Sequence, residues 1–79
     1  MTRDEATALL AAVLHEVAPE VDLAAVDPDL PIQEVTDIDS LDFLQFVEIL
    51  SETSGRRIEE DDYPELATLN SSIHFLSAR

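Results

Sequence analysis

One hydroxyl group, that of Ser40, lies among three carboxylates and directly before a hydrophobic run. The heptapeptide DIDSLDF, residues 37–43, places Asp37, Asp39 and Asp42 within three positions of it. A short polar pair such as Asp-Ser commonly begins a helix, because its side chains accept hydrogen bonds from the free N–H groups of the first turn. Helix initiation is therefore the plain structural interpretation of Ser40, and a chemical role needs further support.

Nucleophilic catalysis by Ser40 lacks its other components. A hydrolytic serine needs a general base and an oxyanion hole, often on a Gly-x-Ser-x-Gly turn, and the sequence has no such motif. The two histidines, His15 and His74, fall in helical patterns, and we interpret them as surface residues rather than bases. We therefore predict that the chain is not an enzyme.

A calcium-binding loop is the second chemistry that these carboxylates could serve. Asp37, Asp39 and Glu48 fit the first, third and last positions of such a loop. The position that needs glycine holds Asp42, however, and the segment from Leu41 onward is predicted to be helical. We reject this interpretation and predict no metal site.

The composition indicates one small folded domain over residues 1–79. Hydrophobic residues make up 46% of the chain, which is too many for an acidic disordered tail. A domain of this size has a net stability of only ~3–5 kcal/mol. The chain has no cysteine, so neither a disulfide nor a thiolate metal site can add to that stability.

The charge of the chain disfavours several classes of partner. Eighteen acidic residues against four arginines give a formal charge of −14, which argues against nucleic acid and anionic membranes and favours partners with basic surfaces. The alternative is that the charge only keeps the domain soluble. No stretch approaches the ~18 apolar residues of a membrane span, and the N-terminus lacks a signal-peptide pattern. We expect a cytoplasmic monomer.

The hydrophobic spacing predicts an all-α fold. Thr2 and Glu5 form a capping-box pattern before a first helix over about residues 3–17. From Pro19 to Asp39 the periodic pattern breaks, which predicts a long loop held on the core by its own side chains. The apolar residues expected to pack in this way are Leu23, Val26, Leu30, Ile32 and Val35.

The second half of the chain predicts two more main helices and one short helix. One main helix should begin at Ser40, with Asp39 as its N-cap, and end at Gly55. The acidic segment EEDDYPEL is predicted to form a short turn or helix. Thr68 can cap a last helix. The long loop, the short third helix and the three main helices together give a small four-helix bundle.

The helix that follows Ser40 is predicted to have an apolar and an acidic face. A helical wheel places Phe43, Phe46, Val47 and Leu50 on the core side, with Leu44 at its margin. The opposite side holds Gln45, Glu48, Glu52 and, out of place among them, Leu41. An exposed leucine among polar and acidic residues indicates a contact surface.

Residues 37–52, DIDSLDFLQFVEILSE, resemble the modification site of acyl carrier proteins, and the order of helices resembles that family over essentially the whole chain. The resemblance implies a bundle of three main helices with a short third helix. It also implies that Ser40 carries covalent 4′-phosphopantetheine, taken from coenzyme A by a phosphopantetheinyl transferase, and that the arm holds acyl groups as thioesters. The residues that would then meet the transferase and the acyl-loading and acyl-transfer enzymes are Asp39, Leu41, Asp42, Gln45, Glu48 and Glu52.

Three departures from the family pattern suggest a dedicated lipid or secondary-metabolite pathway. Thr36-Asp37 replaces a common Leu-Gly pair, so we expect the approach to Ser40 to be less sharply turned or more ordered. Gln45 stands where many relatives have glutamate, which shifts the recognition charge. Phe43 and Phe46 are bulkier than the usual aliphatic residues, which leaves less room for a long acyl chain.

Two alternatives fit the same residues. A peptidyl or aminoacyl carrier shares the modified serine, although such carriers are often less acidic and have glycines before it. A cofactor-free acidic adaptor would bind a basic partner through Leu41, Glu48, Glu52 and the acidic run of residues 59–62, with Ser40 as a helix cap only. That acidic run is also expected as a solvated face that begins the short helix.

Overall fold

The computed structural model describes residues 1–78 of the chain, and Arg79 lies outside the described residues. Four α-helices form the structure: α1 (Arg3–Val17), α2 (Ile32–Thr36), α3 (Ser40–Ser54) and α4 (Leu69–Ser77). Two 3₁₀ segments, Leu23–Ala25 and Glu60–Leu66, lie in the connections. The described residues contain no strand, so the predicted all-α class is confirmed.

Side-chain caps fix where the long helices begin. Thr2 and Glu5 form the predicted capping box at the start of α1, with hydrogen bonds of 3.1 and 2.8 Å between each side chain and the other residue's N–H. These bonds to Thr2 hold the pKa of the Glu5 carboxyl below its ordinary value. Thr68 caps α4 by accepting a hydrogen bond from the N–H of Ser71. Both predicted helix starts are confirmed.

The core lies where α1 packs against α3 and α4. From α3 it takes Phe46, Val47 and Leu50, which are the central residues of the predicted apolar face. Leu69, Ile73 and Leu76 supply the buried face of α4 at the predicted helical spacing. The contribution of α1 consists of Ala6, Leu10, Val13 and Leu14.

The first connection differs from the predicted loop. It contains the 3₁₀ segment Leu23–Ala25 and the five-residue helix α2. Pro31 is the N-cap of α2 and makes no side-chain cap, so the sequence carries no start signal. A tertiary hydrogen bond of 2.7 Å from the N–H of Ile32 to the carbonyl of Ala67 instead holds the start of α2 beside the start of α4.

The prediction that the apolar residues of this connection pack on the core is correct for three of the five, whereas Val35 is half-buried outside the core cluster. Ile32 is buried, and Leu23 and Val26 are half-buried against the core. Leu30 is 46% exposed, so its predicted packing is wrong. The reason is positional, because Pro31 and Ile32 are held against α4 and leave Leu30 on the outer side of the turn.

The short third helix is the 3₁₀ segment Glu60–Leu66, which contacts α4 and contributes the buried Leu66. Its acidic first turn, which holds Glu60, Asp61 and Asp62, matches the predicted role of the acidic run as a helix start. In the described part of the chain, no helix is long and apolar enough to cross a membrane.

Candidate functional site

Ser40 is the first residue of α3, and its side chain is exposed. Within residues 1–78 its hydroxyl group forms no hydrogen bond, and neither its backbone N–H nor that of Leu41 reaches an acceptor. The first N–H groups of a helix have no intrahelical partner and form its positive end. Ser40 therefore presents a free hydroxyl beside two free N–H donors.

Asp39 holds the start of α3 in place. Its carboxylate accepts a hydrogen bond of 2.8 Å from the N–H of Asp42, and its carbonyl accepts one of 3.0 Å from the N–H of Phe43. The prediction that Asp39 is the N-cap is therefore confirmed. Because Asp39 provides the cap, the hydroxyl of Ser40 is not needed for it.

The approach to Ser40 turns at Asp37. This residue has φ 54° and ψ 40°, the left-handed conformation, and it ends α2. It is the only residue other than glycine with positive φ in the described part of the chain. The expectation of a less sharply turned approach is therefore wrong, because Asp37 makes the turn that glycine makes most easily.

The outer face of α3 carries an apolar pair in acidic surroundings. Leu41 is 76% exposed, as predicted, and Leu44, three positions later, is 42% exposed. Residues three apart on a helix are neighbours, so the two leucines form one patch. The predicted recognition residues Gln45, Glu48 and Glu52 are exposed on this helix as well, whereas Asp42 is half-buried.

Leu44 is the residue of this surface that the sequence reasoning missed. The helical wheel placed it at the margin of the core face, and a wheel cannot show how far the packed elements extend over that margin. Its position three residues after Leu41 was the available signal. We call the patch formed by Leu41 and Leu44, with Asp42, Gln45 and Glu48 beside it, the outer α3 patch.

Aromatic side chains fill the other flank of α3 near Ser40. Phe43, three residues after Ser40, lies with its ring centroid 5.9 Å from that of Phe46 and 6.4 Å from that of Tyr63. The contact with Tyr63 is edge-to-face, an arrangement that aromatic pairs favour. Phe43 is half-buried rather than fully buried, so it closes the edge of the core between α3 and the segment Glu60–Leu66.

Neither a serine–histidine catalytic arrangement nor a calcium-binding loop is formed by the described residues. His15 and His74 are exposed on α1 and α4, as predicted. No group of three or more His, Cys, Asp or Glu side chains within residues 1–78 is arranged to hold a metal ion. Residues 40–54 are a continuous helix, which excludes the loop geometry that calcium would need there.

A comparison with curated proteins identifies the family. An acyl carrier protein from Lactobacillus johnsonii (strain CNCM I-12250 / La1 / NCC 533) is 30% identical to this chain over 78 residues, which cover 99% of this chain and 96% of that protein. The chain belongs to the acyl carrier protein family. No family model matches the chain, and no solved structure matches it.

Membership of the acyl carrier protein family agrees with the all-α fold. The alignment spans nearly all of both chains, so it covers Ser40 together with the helices that position it rather than one short motif. The resemblance stated from residues 37–52 and the whole-chain comparison therefore point to the same acyl carrier protein family.

Proposed function

We propose that this member of the acyl carrier protein family carries acyl groups as thioesters on a 4′-phosphopantetheine arm attached to Ser40. One observation carries the proposal: Ser40 presents an exposed hydroxyl without a hydrogen-bond partner in the described structure, at the first position of a fifteen-residue helix. The carrier itself is proposed to be a cytoplasmic monomer that catalyses no reaction.

The residues around Ser40 suit the phosphodiester that such an attachment creates. The free N–H groups of Ser40 and Leu41 and the positive end of α3 favour an anion, by roughly 0.3–1 kcal/mol for an exposed helix end. Repulsion from each neighbouring carboxylate is about 1 kcal/mol or less in water. The carboxylate of Asp39 is also directed to the N–H of Asp42. Each single repulsion is of the same order as this attraction, which supports attachment in spite of the acidic surroundings.

The arm would supply the one group that the carrier function needs and this chain lacks. The sequence has no cysteine, so a thiol for thioester formation has to come from the phosphopantetheine group. The residues of this chain contribute the attachment atom, Oγ of Ser40, and the rigid helix start that presents it.

Mass spectrometry tests the attachment directly. Incubation of the apo protein with coenzyme A, Mg²⁺ and a broad-specificity phosphopantetheinyl transferase is expected to add one phosphopantetheinyl mass. Ser40→Ala should add none, whereas the control Ser77→Ala, which removes a hydroxyl at the far end of α4, should be modified like the unaltered protein. An unaltered protein that gains no mass would refute the proposal.

We further propose that partner enzymes dock on the outer α3 patch. The exposed leucines offer apolar contact, and Asp39, Glu48 and Glu52 favour a basic surface around an apolar pocket. Glu48→Lys is expected to slow modification by the transferase, and the loss should shrink as salt is added. Glu16→Lys is the matched control, because it makes the same charge change at an exposed position on α1. Equal slowing by both variants would show that net charge acts rather than this patch.

The pathway that uses the carrier is proposed to be a dedicated one. Gln45 is exposed on α3 at a position where many family members are acidic, and this difference supports partners other than the usual fatty-acid synthase enzymes. The test supplies the holo protein to a complete set of fatty-acid synthase enzymes and measures the rate of fatty-acid synthesis. A rate equal to that with the enzymes' own carrier protein would refute the specialisation and leave the carrier role intact.

The same mass measurement separates the carrier from a cofactor-free adaptor, and the enzyme that loads the modified protein separates an acyl carrier from a peptidyl carrier. A cofactor-free adaptor would be isolated without any added mass and would bind its basic partner equally well as Ser40→Ala. A peptidyl carrier would accept modification on Ser40 and would then be loaded by an aminoacyl-activating enzyme rather than by an acyl-loading one.

A further inference from the structure

An apolar groove lies between α1, the first connection and α4. Its volume is about 440 Å³, and its lining residues include Leu10, Leu69 and Ile73. Thr7 supplies the one hydroxyl among them, and that hydroxyl donates to the carbonyl of Arg3 at 2.8 Å. Because the groove offers no free side-chain donor, it suits an apolar group rather than a polar one.

The outer wall of the groove, residues 21–27, can yield to an entering side chain. Leu23 and Val26 line the groove from this wall and are only half-buried. Each hydrogen bond that the wall forms in the described structure joins residues at most three positions apart. A hydrogen bond to a distant element follows at Pro28, whose carbonyl accepts from the N–H of Asn70 at 3.1 Å. Outward movement of the wall therefore breaks apolar contacts but no tertiary hydrogen bond.

Three exposed carboxylates lie on this wall or directly after it, and we call them the acidic border: Asp22, Asp27 and Asp29. The side chain of Asn70 donates to the carboxylate of Asp29 at 2.5 Å, and Asn70 follows the lining residue Leu69. This bond places the last carboxylate of the border beside the start of α4. An apolar groove with carboxylates along one side favours a ligand that carries positive charge beside its apolar part.

The start of α1 adds charges of both signs to the opposite side of the groove. Arg3 and Asp4 precede the lining residue Thr7 by four and three positions, so all three are neighbours on the helix surface. The two charges offset each other. The acidic border therefore sets the sign of the charge around the groove.

A basic amphipathic segment of another protein has both features that this surface requires. Its apolar side chains recur at helical spacing and can enter a groove, and its lysines or arginines can face carboxylates. A second copy of this chain fits less well, because two chains with a charge of −14 repel each other.

The groove and the outer α3 patch differ in shape and in place. The patch presents protruding leucines, of which Leu41 is 76% exposed, so its partner needs a pocket. The groove instead receives side chains from its partner. Its lining residues come from α1, the first connection and α4, whereas Ser40 and the outer α3 patch are on α3. Both surfaces can therefore be occupied at the same time.

We propose that the groove is a second docking surface, which binds a basic amphipathic segment of a partner protein. Apolar side chains of that segment enter beside Leu69 and Ile73, and its lysines or arginines face the acidic border. A partner bound in this way leaves Ser40 open, so one protein holds the chain while another acts at Ser40. This inference goes beyond the proposed carrier role and does not depend on attachment to Ser40.

The test uses the apo protein and a fluorescein-labelled peptide of leucine and lysine, with its leucines at helical spacing. A peptide of the same composition in scrambled order is the control and should bind more weakly. Two-dimensional amide NMR spectra are expected to change at Ala11, Ala24 and Ile73, with little change at Leu41 and Leu44. Fluorescence anisotropy measures the affinity, which should fall as salt is added.

Charge variants separate the acidic border from the net charge of the chain. Asparagine at all three border positions keeps an oxygen that can accept each hydrogen bond now made there. This variant should bind the peptide about tenfold more weakly, because each exposed ion pair contributes roughly two- to threefold in affinity. The matched control removes three charges from exposed positions of the segment Glu60–Leu66, through Glu60→Gln, Asp61→Asn and Glu65→Gln. Its affinity should change by less than about twofold.

A tryptophan variant tests the apolar part of the surface. Ala24 lines the groove and is exposed, so Ala24→Trp should fold and place its indole over the groove. It is expected to abolish the spectral changes at Ala11 and Ile73. Ala12→Trp is the control at an exposed position of α1, and it should bind the peptide like the unaltered protein.

Several results would overturn the second docking surface. These are no binding of the peptide, spectral changes at Leu41 and Leu44 instead, or equal weakening by the two triple variants. Changes at Ala11 and Ile73 on concentrating the protein without peptide would assign the groove to a second copy. Displacement of the peptide by an octanoyl arm loaded on Ser40 would assign it to the cargo. Modification of Ser40 is measured separately by mass, so failure of the carrier role is distinguishable from failure of this proposal.

Discussion

The left-handed turn before Ser40 leads to a prediction whose size can be worked from the backbone. Asp37 and Gly55 have nearly the same conformation, with φ 54° and 71°, and each ends a helix. One position uses glycine and the other does not. Substituting Asp37 by glycine, asparagine and alanine gives three neutral variants that change the net charge equally and differ in how well they tolerate this turn.

A residue with a Cβ loses about 1–2 kcal/mol in the left-handed region, whereas glycine loses nothing there. About 0.5–1 kcal/mol of this advantage of glycine is offset, because the unfolded chain is more flexible at a glycine. We therefore expect Asp37→Gly to be more stable than Asp37→Ala by about 1 kcal/mol, or ~4–8 °C in melting temperature for a domain of this size. Asp37→Asn should fall between them, since asparagine tolerates positive φ better than alanine.

Urea unfolding followed by circular dichroism measures these differences. Gly55→Ala is the internal control, because no atom lies within 4 Å of the added Cβ and its cost of about 1 kcal/mol comes from the backbone alone. All three Asp37 variants should still be modified on Ser40, because the turn is kept. If Asp37→Ala were as stable as Asp37→Gly while Gly55→Ala lost about 1 kcal/mol, the left-handed conformation of Asp37 would be refuted.

Four further predictions follow from caps, core and charge. Asp39→Ala removes the hydrogen bond to the N–H of Asp42 and should cost about 1 kcal/mol in urea unfolding, while Asp39→Asn should keep most of it; equal losses would contradict the capping role. Phe46→Ala should cost about 3–5 kcal/mol, comparable with the whole stability of the domain, so its helical circular dichroism signal should be lost at 37 °C; a cooperatively folded variant would argue against full burial. Because hydrogen bonds to Thr2 lower the pKa of Glu5 in the folded state, the contribution of the Glu5 carboxylate to stability is present above pH 4.5 and is lost as the pH falls through the folded-state pKa. The difference in melting temperature between the unaltered protein and Glu5→Ala should therefore shrink between pH 6 and about pH 3, and a constant difference would sink this reasoning. Added salt or Mg²⁺ should raise the melting temperature by screening the charge of −14, and a flat or falling response would count against self-repulsion.

The starts of the three main helices could be predicted to within a residue because each helix carries its own start signal. Thr2, Asp39 and Thr68 each accept a backbone hydrogen bond from the first turn of the helix they precede. These caps are local, so the sequence contains all that is needed to place them. Hydrophobic spacing then gave the buried faces, as at Phe46 and Leu76.

The parts that could not be predicted depend on contacts between distant residues. Helix α2 has five residues and no side-chain cap, and its start is fixed by the hydrogen bond from Ile32 to Ala67, thirty-five positions away. The same contact decides that Ile32 is buried and Leu30 is exposed, although the two look alike in sequence. At the site, the exposure of Leu44 depends on how far neighbouring elements cover α3. The hydrophobic periodicity of the sequence does not contain that information.

The position of the cap relative to Ser40 explains how one residue can begin a helix and still be available for attachment. A serine at the N-cap itself uses its hydroxyl to accept a hydrogen bond from the N–H two or three residues later. Here Asp39 takes that role one residue earlier, with its carboxylate 2.8 Å from the N–H of Asp42. Ser40 is thereby placed at the first helical position, where its side chain has no structural hydrogen bond to break before the proposed attachment. In the order Asp-Ser the two side chains therefore have different roles. The carboxylate of Asp39 stabilises the helix, and the hydroxyl of Ser40 is left free at the positive end of α3.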